Sequence, residues 1–118
     1  MKAIVVAATL AAALSVSASF AVPVMTAGDL YGFCVSTNGD VQNVCSKYIL
    51  GAVQGIGLAA GKLNDGTTFC IPDDISETRL VDIFIRAARA DFAAFPQDQK
   101  MPAISLVGAV AMRAFPCR

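Results

Sequence analysis

From about residue 23 onward, apolar positions recur at intervals of three and four, and no convincing period-two alternation interrupts them. The pattern therefore predicts helices throughout. Thr26-Ala27-Gly28-Asp29 has the form of a capping box, with Asp in the place of the usual Glu, and opens a short helix through Leu30, Tyr31, Phe33 and Cys34. Ser36-Thr37-Asn38-Gly39-Asp40 is a turn cluster, and Asp40 is placed to cap a second helix running to about Lys62. That helix carries Gly51, Gly55, Gly57 and Gly61, each costing up to about 1 kcal/mol against alanine in a helix interior. The spacing of four at 51 and 55 predicts a groove that a neighbouring helix, or less often a partner, approaches closely.

Asn64-Asp65-Gly66 closes the second helix, and residues 67–75 read as an ordered connector. Ser76 or Asp74 caps a third helix over about 77–94, with Glu77 in the first turn where the helix dipole favours an acid. Arg79, Asp82, Arg86 and Arg89 form one stripe of this helix, and Leu80, Ile83, Phe84, Ala87 and Ala88 form the opposite one. Phe95 to Lys100 reads as a polar loop. Pro102 suits the first position of a last helix, AISLVGAVAMRAF, which is apolar nearly all round and so should be the buried one. The expected fold is all-α, a compact bundle of four main helices.

Composition changes this picture first at the N-terminus. MKAIVVAATLAAALSVSASFAV has one basic residue, Lys2, then an uncharged apolar run, and ends in small residues with a cleavage site near Ala21. An uncleaved anchor is the competing reading, but a spanning helix needs about 20 strongly apolar residues, and this run is short, Ala-rich and broken by Ser15, Ser17, Ser19 and Pro23. The expected organisation is a signal peptide at 1–21 and one exported domain at 22–118. No cysteine lies near the cleavage site, which argues against a lipid anchor. Losing Lys2 with the leader turns nine basic residues into eight against nine acidic ones, a net charge of −1. Such a chain has no basic stripe for phosphates, so nucleic acid is not an expected partner.

The candidate chemistry is thin. The chain has no histidine, hence no Ser-His or Cys-His dyad and no imidazole base. Gly55-Ile56-Gly57-Leu58-Ala59-Ala60 matches G-x-G-x-x-A, but a dinucleotide site needs that motif between a strand and a helix, and this one sits inside a helical run. Asp73, Asp74 and Glu77 could suggest paired carboxylates; at a helix start they are better read as serving free N–H groups. No catalytic residue, metal site or cofactor is expected. The four cysteines, Cys34, Cys45, Cys70 and Cys117, lack the close pairs of a zinc site. In a short exported chain they read as two disulfides. The tight turn folds the first two helices antiparallel and brings Cys34 to Cys45, leaving Cys70 for Cys117.

With those features placed, the chain resembles the Rap/Tai family of periplasmic immunity proteins, which neutralise amidase effectors of type VI secretion. The resemblance rests on Cys45 with Lys47-Tyr48-Ile49-x-Gly51, on Phe69-Cys70-Ile71-Pro72, and on Met101-Pro102 ahead of Phe115-Pro116-Cys117. It covers nearly all of the mature chain, although Leu80 to Pro96 is about a turn longer than the usual family pattern. It implies an all-helical, disulfide-bonded, often dimeric protein of the periplasm with no catalytic activity, whose partner is a peptidoglycan amidase. Occlusion of that enzyme would fall to exposed polar segments: the stripe Arg79, Asp82, Arg86 and Arg89, and the loop Gln97, Asp98, Gln99 and Lys100. The readings competing with an immunity protein are a small helical acid-stress chaperone, since Asp and Glu titrate at strongly acidic pH, and an orphan exported domain without a toxin.

Overall fold

The computed structural model describes residues 23–63 and 69–117. The leader, its cleavage site and the Asn64-Asp65-Gly66 turn lie outside the described residues. The order is α1 (Ala27–Cys34), α2 (Gly39–Leu63), α3 (Glu77–Ala94), a 3-10 helix η1 (Pro96–Lys100) and α4 (Ala103–Ala114). The expected four-helix, all-α architecture is present.

Each helix starts where its capping chemistry permits. The Asp29 amide donates to Thr26 Oγ1 at 3.1 Å and the Thr26 amide donates to Asp29 Oδ2 at 3.3 Å, closing the capping box. An eight-residue helix is marginal alone; burial of Ala27, Leu30 and Cys34 against the bundle holds it. At α2 the cap is Asn38, not Asp40: Asn38 Oδ1 accepts from the amides of Asp40 (2.9 Å) and Val41 (3.3 Å). The Ser36 hydroxyl accepts from the Asn38 amide and fixes this turn, so the cap falls two residues ahead of the acid. At α3 the cap is Ser76, whose Oγ accepts from the Arg79 amide at 3.1 Å, and Asp74 is left in the preceding turn.

The core is a contact of the apolar stripes. Leu80, Phe84 and Ala88 of α3, one turn apart, face Cys45, Ile49, Ala52 and Val53 of α2 and the inner side of α4. Six of the twelve residues of α4 are buried, which agrees with its apolar sequence, although Ile104 and Met112 remain 47% and 43% exposed.

Three expectations need correction. The segment after Phe95 is not an open loop but the 3-10 helix, with Asp98 N–H to Phe95 O at 3.0 Å and Met101 N–H to Asp98 O at 3.2 Å. Pro96 pre-sets the tight turn at its first position. Pro102 is extended (φ −57°, ψ 134°) and caps α4 rather than joining it, because it pairs with Thr26. The Ala103 amide donates to Met25 O and the Ala27 amide to Met101 O, each at 2.8 Å, so a two-stranded contact ties the starts of α1 and α4. Finally, Gly51 and Gly55 seat no helix among the described residues: a Cβ there would meet nothing within 4 Å. The glycine at the α2–α4 contact is Gly108, with Ile56 Cδ1 3.3 Å from where its Cβ would sit.

Both disulfides pair as expected, Cys34 with Cys45 and Cys70 with Cys117, each with Cα atoms 5.0 Å apart. The second is reinforced by a bridge between Phe69 and Pro116 and by the Cys70 amide donating to Phe115 O at 2.7 Å. Phe69 is buried beneath this clasp while Cys70 itself is exposed.

Candidate partner interface

The end of the bundle that carries η1 is built from four segments. Gly28 on α1 lets the backbone of Gln99 approach so closely that a Cβ would lie 3.2 Å from the Gln99 carbonyl oxygen. Tyr31 of α1 meets Phe92 of α3 edge to face, with ring centroids 5.7 Å apart and planes at 83°. Arg89 Nε donates to the Tyr31 hydroxyl at 3.2 Å, which holds the guanidinium proton more firmly than usual. These contacts fix η1 between α1 and α3.

The same end exposes large apolar side chains. The Thr26–Pro102 bridge ties the segment before α1, which carries Val24, to the start of α4, which carries Ile104. Both are exposed, at 67% and 47%, and Phe95, the residue that links α3 to η1, is 54% exposed. Gln97, Gln99 and Lys100 stand exposed on η1 and Asp98 is half-buried. Apolar side chains among polar ones is the composition that interfaces use, with an apolar centre and a polar surround. The sequence pattern did not reveal Val24, Phe95 and Ile104, since their neighbourhood depends on the α1–α4 pairing.

The charged stripe of α3 is present but divided. Asp82 accepts from Arg86 and lies 3.7 Å from Arg79, so one carboxylate is shared by two guanidinium groups and one positive charge is left on this exposed face. Arg89 turns to Tyr31 on α1. Along the axis of α3, Arg79 and Arg89 are about 15 Å apart at 1.5 Å per residue, and the η1 residues lie beyond Phe95. The eight expected contact residues therefore form a band along α3 and η1 rather than one compact patch.

Two open grooves flank α2. One, of about 520 Å³, runs between the starts of α2 and α3, past Gln42, Asn43, Ser46, Thr78 and Asp82. The other, of about 550 Å³, lies between α2 and the connector, over Leu50, Val53, Phe69, Ile71 and Leu80. Lys47 Nζ bridges both oxygens of Glu77 at 3.1 and 3.2 Å between them. Hydrogen bonds from Ser46 and then Lys47 hold the Glu77 carboxyl below its ordinary value. Asp73 and Asp74, expected to prepare α3, are exposed in the turn ahead of Ser76 and make no ion pair among the described residues.

At the carboxyl end of α3, Asp98 of η1 faces Asp91. Partial burial pushes the Asp98 carboxyl above its ordinary value, and hydrogen bonding with Asp91 and the charge of Asp91 push it further the same way.

A model of the family described as Rap1a immunity proteins matches residues 26–117. No curated protein and no solved structure matches the chain. The matched segment begins at the Thr26 cap and ends at Cys117, so it takes in every described helix and both disulfides.

Proposed function

The chain belongs to the Rap1a immunity protein family, and from that premise we propose that it is an exported, non-catalytic binder that neutralises a peptidoglycan amidase of type VI secretion by covering its catalytic cleft. The observation that carries this reading is the extent of the family match, from the first helix cap to the last cysteine. Two disulfides suit a protein that works in an oxidising compartment, here the periplasm after removal of the leader.

The contact surface we assign is the η1 end. Val24, Phe95 and Ile104 provide apolar area, Gln97, Gln99 and Lys100 surround it, and the Arg79, Asp82, Arg86 and Arg89 band extends it along α3. Interfaces draw most of their energy from a few desolvated apolar or aromatic anchors, which makes Phe95 the first residue to test.

The experiment is co-expression of the exported protein with a periplasm-directed amidase encoded beside it, scored as survival of cells that otherwise lyse. Rescue supports the reading. Lysis with and without the protein, at equal amidase levels, rejects that amidase as its partner; failure across all neighbouring amidases rejects the proposed function.

A further inference from the structure

The junction between α3 and η1 brings two carboxyl groups together. Asp91 lies in the last turn of α3 and Asp98 in the middle of η1, and both are half-buried. Asp91 Oδ2 is sealed from solvent, and no hydrogen-bond donor among the described residues reaches it. A carboxylate oxygen in that position is costly unless a proton is supplied. The Phe95 amide donates to Asp91 O at 2.7 Å and the Asp98 amide to Phe95 O at 3.0 Å, two turns that carry the Asp98 side chain back to that of Asp91. Two facing carboxylates cannot satisfy each other while both are ionised; they can when one holds a proton.

We propose that Asp98 and Asp91 share one proton across this junction and form an acid-closed clasp, which tightens η1 against the bundle as the pH falls and loosens it as the pH rises. The proton comes from solvent and resides on Asp98, whose O–H donates to Asp91 Oδ2. The proposal deepens the assignment of η1 as contact surface, because it makes the order of that surface depend on the acidity of the compartment.

The surrounding charges leave this pairing in place. On α1 the ionisable groups are Tyr31, hydrogen-bonded to Arg89, and Asp29, committed to its capping box. On α3, Arg89 is engaged by Tyr31. On η1 the other charge is Lys100, which is exposed and makes no ion pair with Asp98 or Asp91 among the described residues. The charged side chain of α4 is Arg113, in its last turn, donating to the carbonyl of Ala109.

The sign follows from proton linkage. A group that binds its proton more tightly in the folded chain adds stability that is fully present below the unfolded value, about 4 for an aspartate, and is lost as the pH rises through the raised folded value.

The test uses the exported, oxidised chain without any partner. Carboxyl ¹³C NMR should place the Asp98 midpoint above the ordinary aspartate range, and Asp91→Asn should lower it, leaving only the part of the rise that burial supplies. An Asp98 midpoint within or below the ordinary range in the unsubstituted chain, or one that Asp91→Asn does not lower, overturns the clasp. Asp98→Asn places a permanent amide donor opposite Asp91, so its Tm should exceed that of the unsubstituted chain at pH 7.5, and the gain should shrink at pH 4. An equal shift at both pH values overturns the proposal as well. If Asp98→Asn does not fold, the titration of the unsubstituted chain decides alone. Because no amidase enters this experiment, failure of the clasp leaves the lysis-rescue result standing, and the reverse holds too.

Discussion

Lys47 Nζ sits 3.1 Å from Glu77 Oε1, joining the third turn of α2 to the first turn of α3 across thirty residues of chain. The pair is exposed, and its energy is correspondingly small. It nevertheless has a definite pH signature. The Glu77 carboxyl is held below its ordinary value by Ser46 and Lys47, so its contribution is present above the unfolded value and is lost as the pH falls through the lower folded value. Glu77→Gln should therefore lower Tm slightly at pH 7, and the difference should vanish in strong acid. Circular dichroism melts of both chains from pH 7 to pH 2.5 check this.

The two disulfides should differ in worth. Loop-closure arithmetic gives about 3 kcal/mol for Cys34–Cys45, which closes a short loop, and about 4 kcal/mol for Cys70–Cys117, which closes a long one. Paired Cys→Ala replacements, compared by urea unfolding, should rank in that order. Mass spectrometry of the exported protein should find no free thiol.

Glycine substitutions should separate by environment. Gly28→Ala forces a Cβ toward the Gln99 carbonyl at 3.2 Å and should destabilise the η1 end. Gly51→Ala and Gly55→Ala face open space and should each stabilise the chain by up to about 1 kcal/mol through helix propensity. Thermal melts of the three variants decide it. A loss of stability at positions 51 and 55 in the isolated protein would point to a second copy already seated on that face.

Phe84→Ala should be the most damaging single core change. Phe84 is 1% exposed and lies among the buried residues of α2 and α4, so its removal should cost about 3–5 kcal/mol. Denaturant unfolding of the oxidised chain measures it directly.

The surface assignment predicts loss of protection without loss of fold. Phe95→Asp and Ile104→Asp should leave Tm nearly unchanged, because both side chains are already about half exposed, and should abolish rescue from the amidase. Charge reversal at Arg86 and Lys100 tests the polar band in the same assay. Unchanged protection in all four variants would remove the η1 end and the band from the interface.

The helices and the staples could be read from the chain alone. The capping box at Thr26 and Asp29, the span of α3 from Glu77 to Ala94, the apolar α4 and the cysteine pairing all depend on residues near in sequence or on simple chain reach, and each was legible there. Tertiary structure decided what depends on distant backbone. Pro102 left the helix because Thr26 offers it a strand-like partner. The segments of Val24 and Ile104 came to one end of the bundle only through the Thr26–Pro102 bridge, and Asp91 and Asp98 became a pair only because Pro96 folds η1 back beside α3. Periodicity records which face of a helix is buried. It carries no record of which two surfaces the packing then sets side by side.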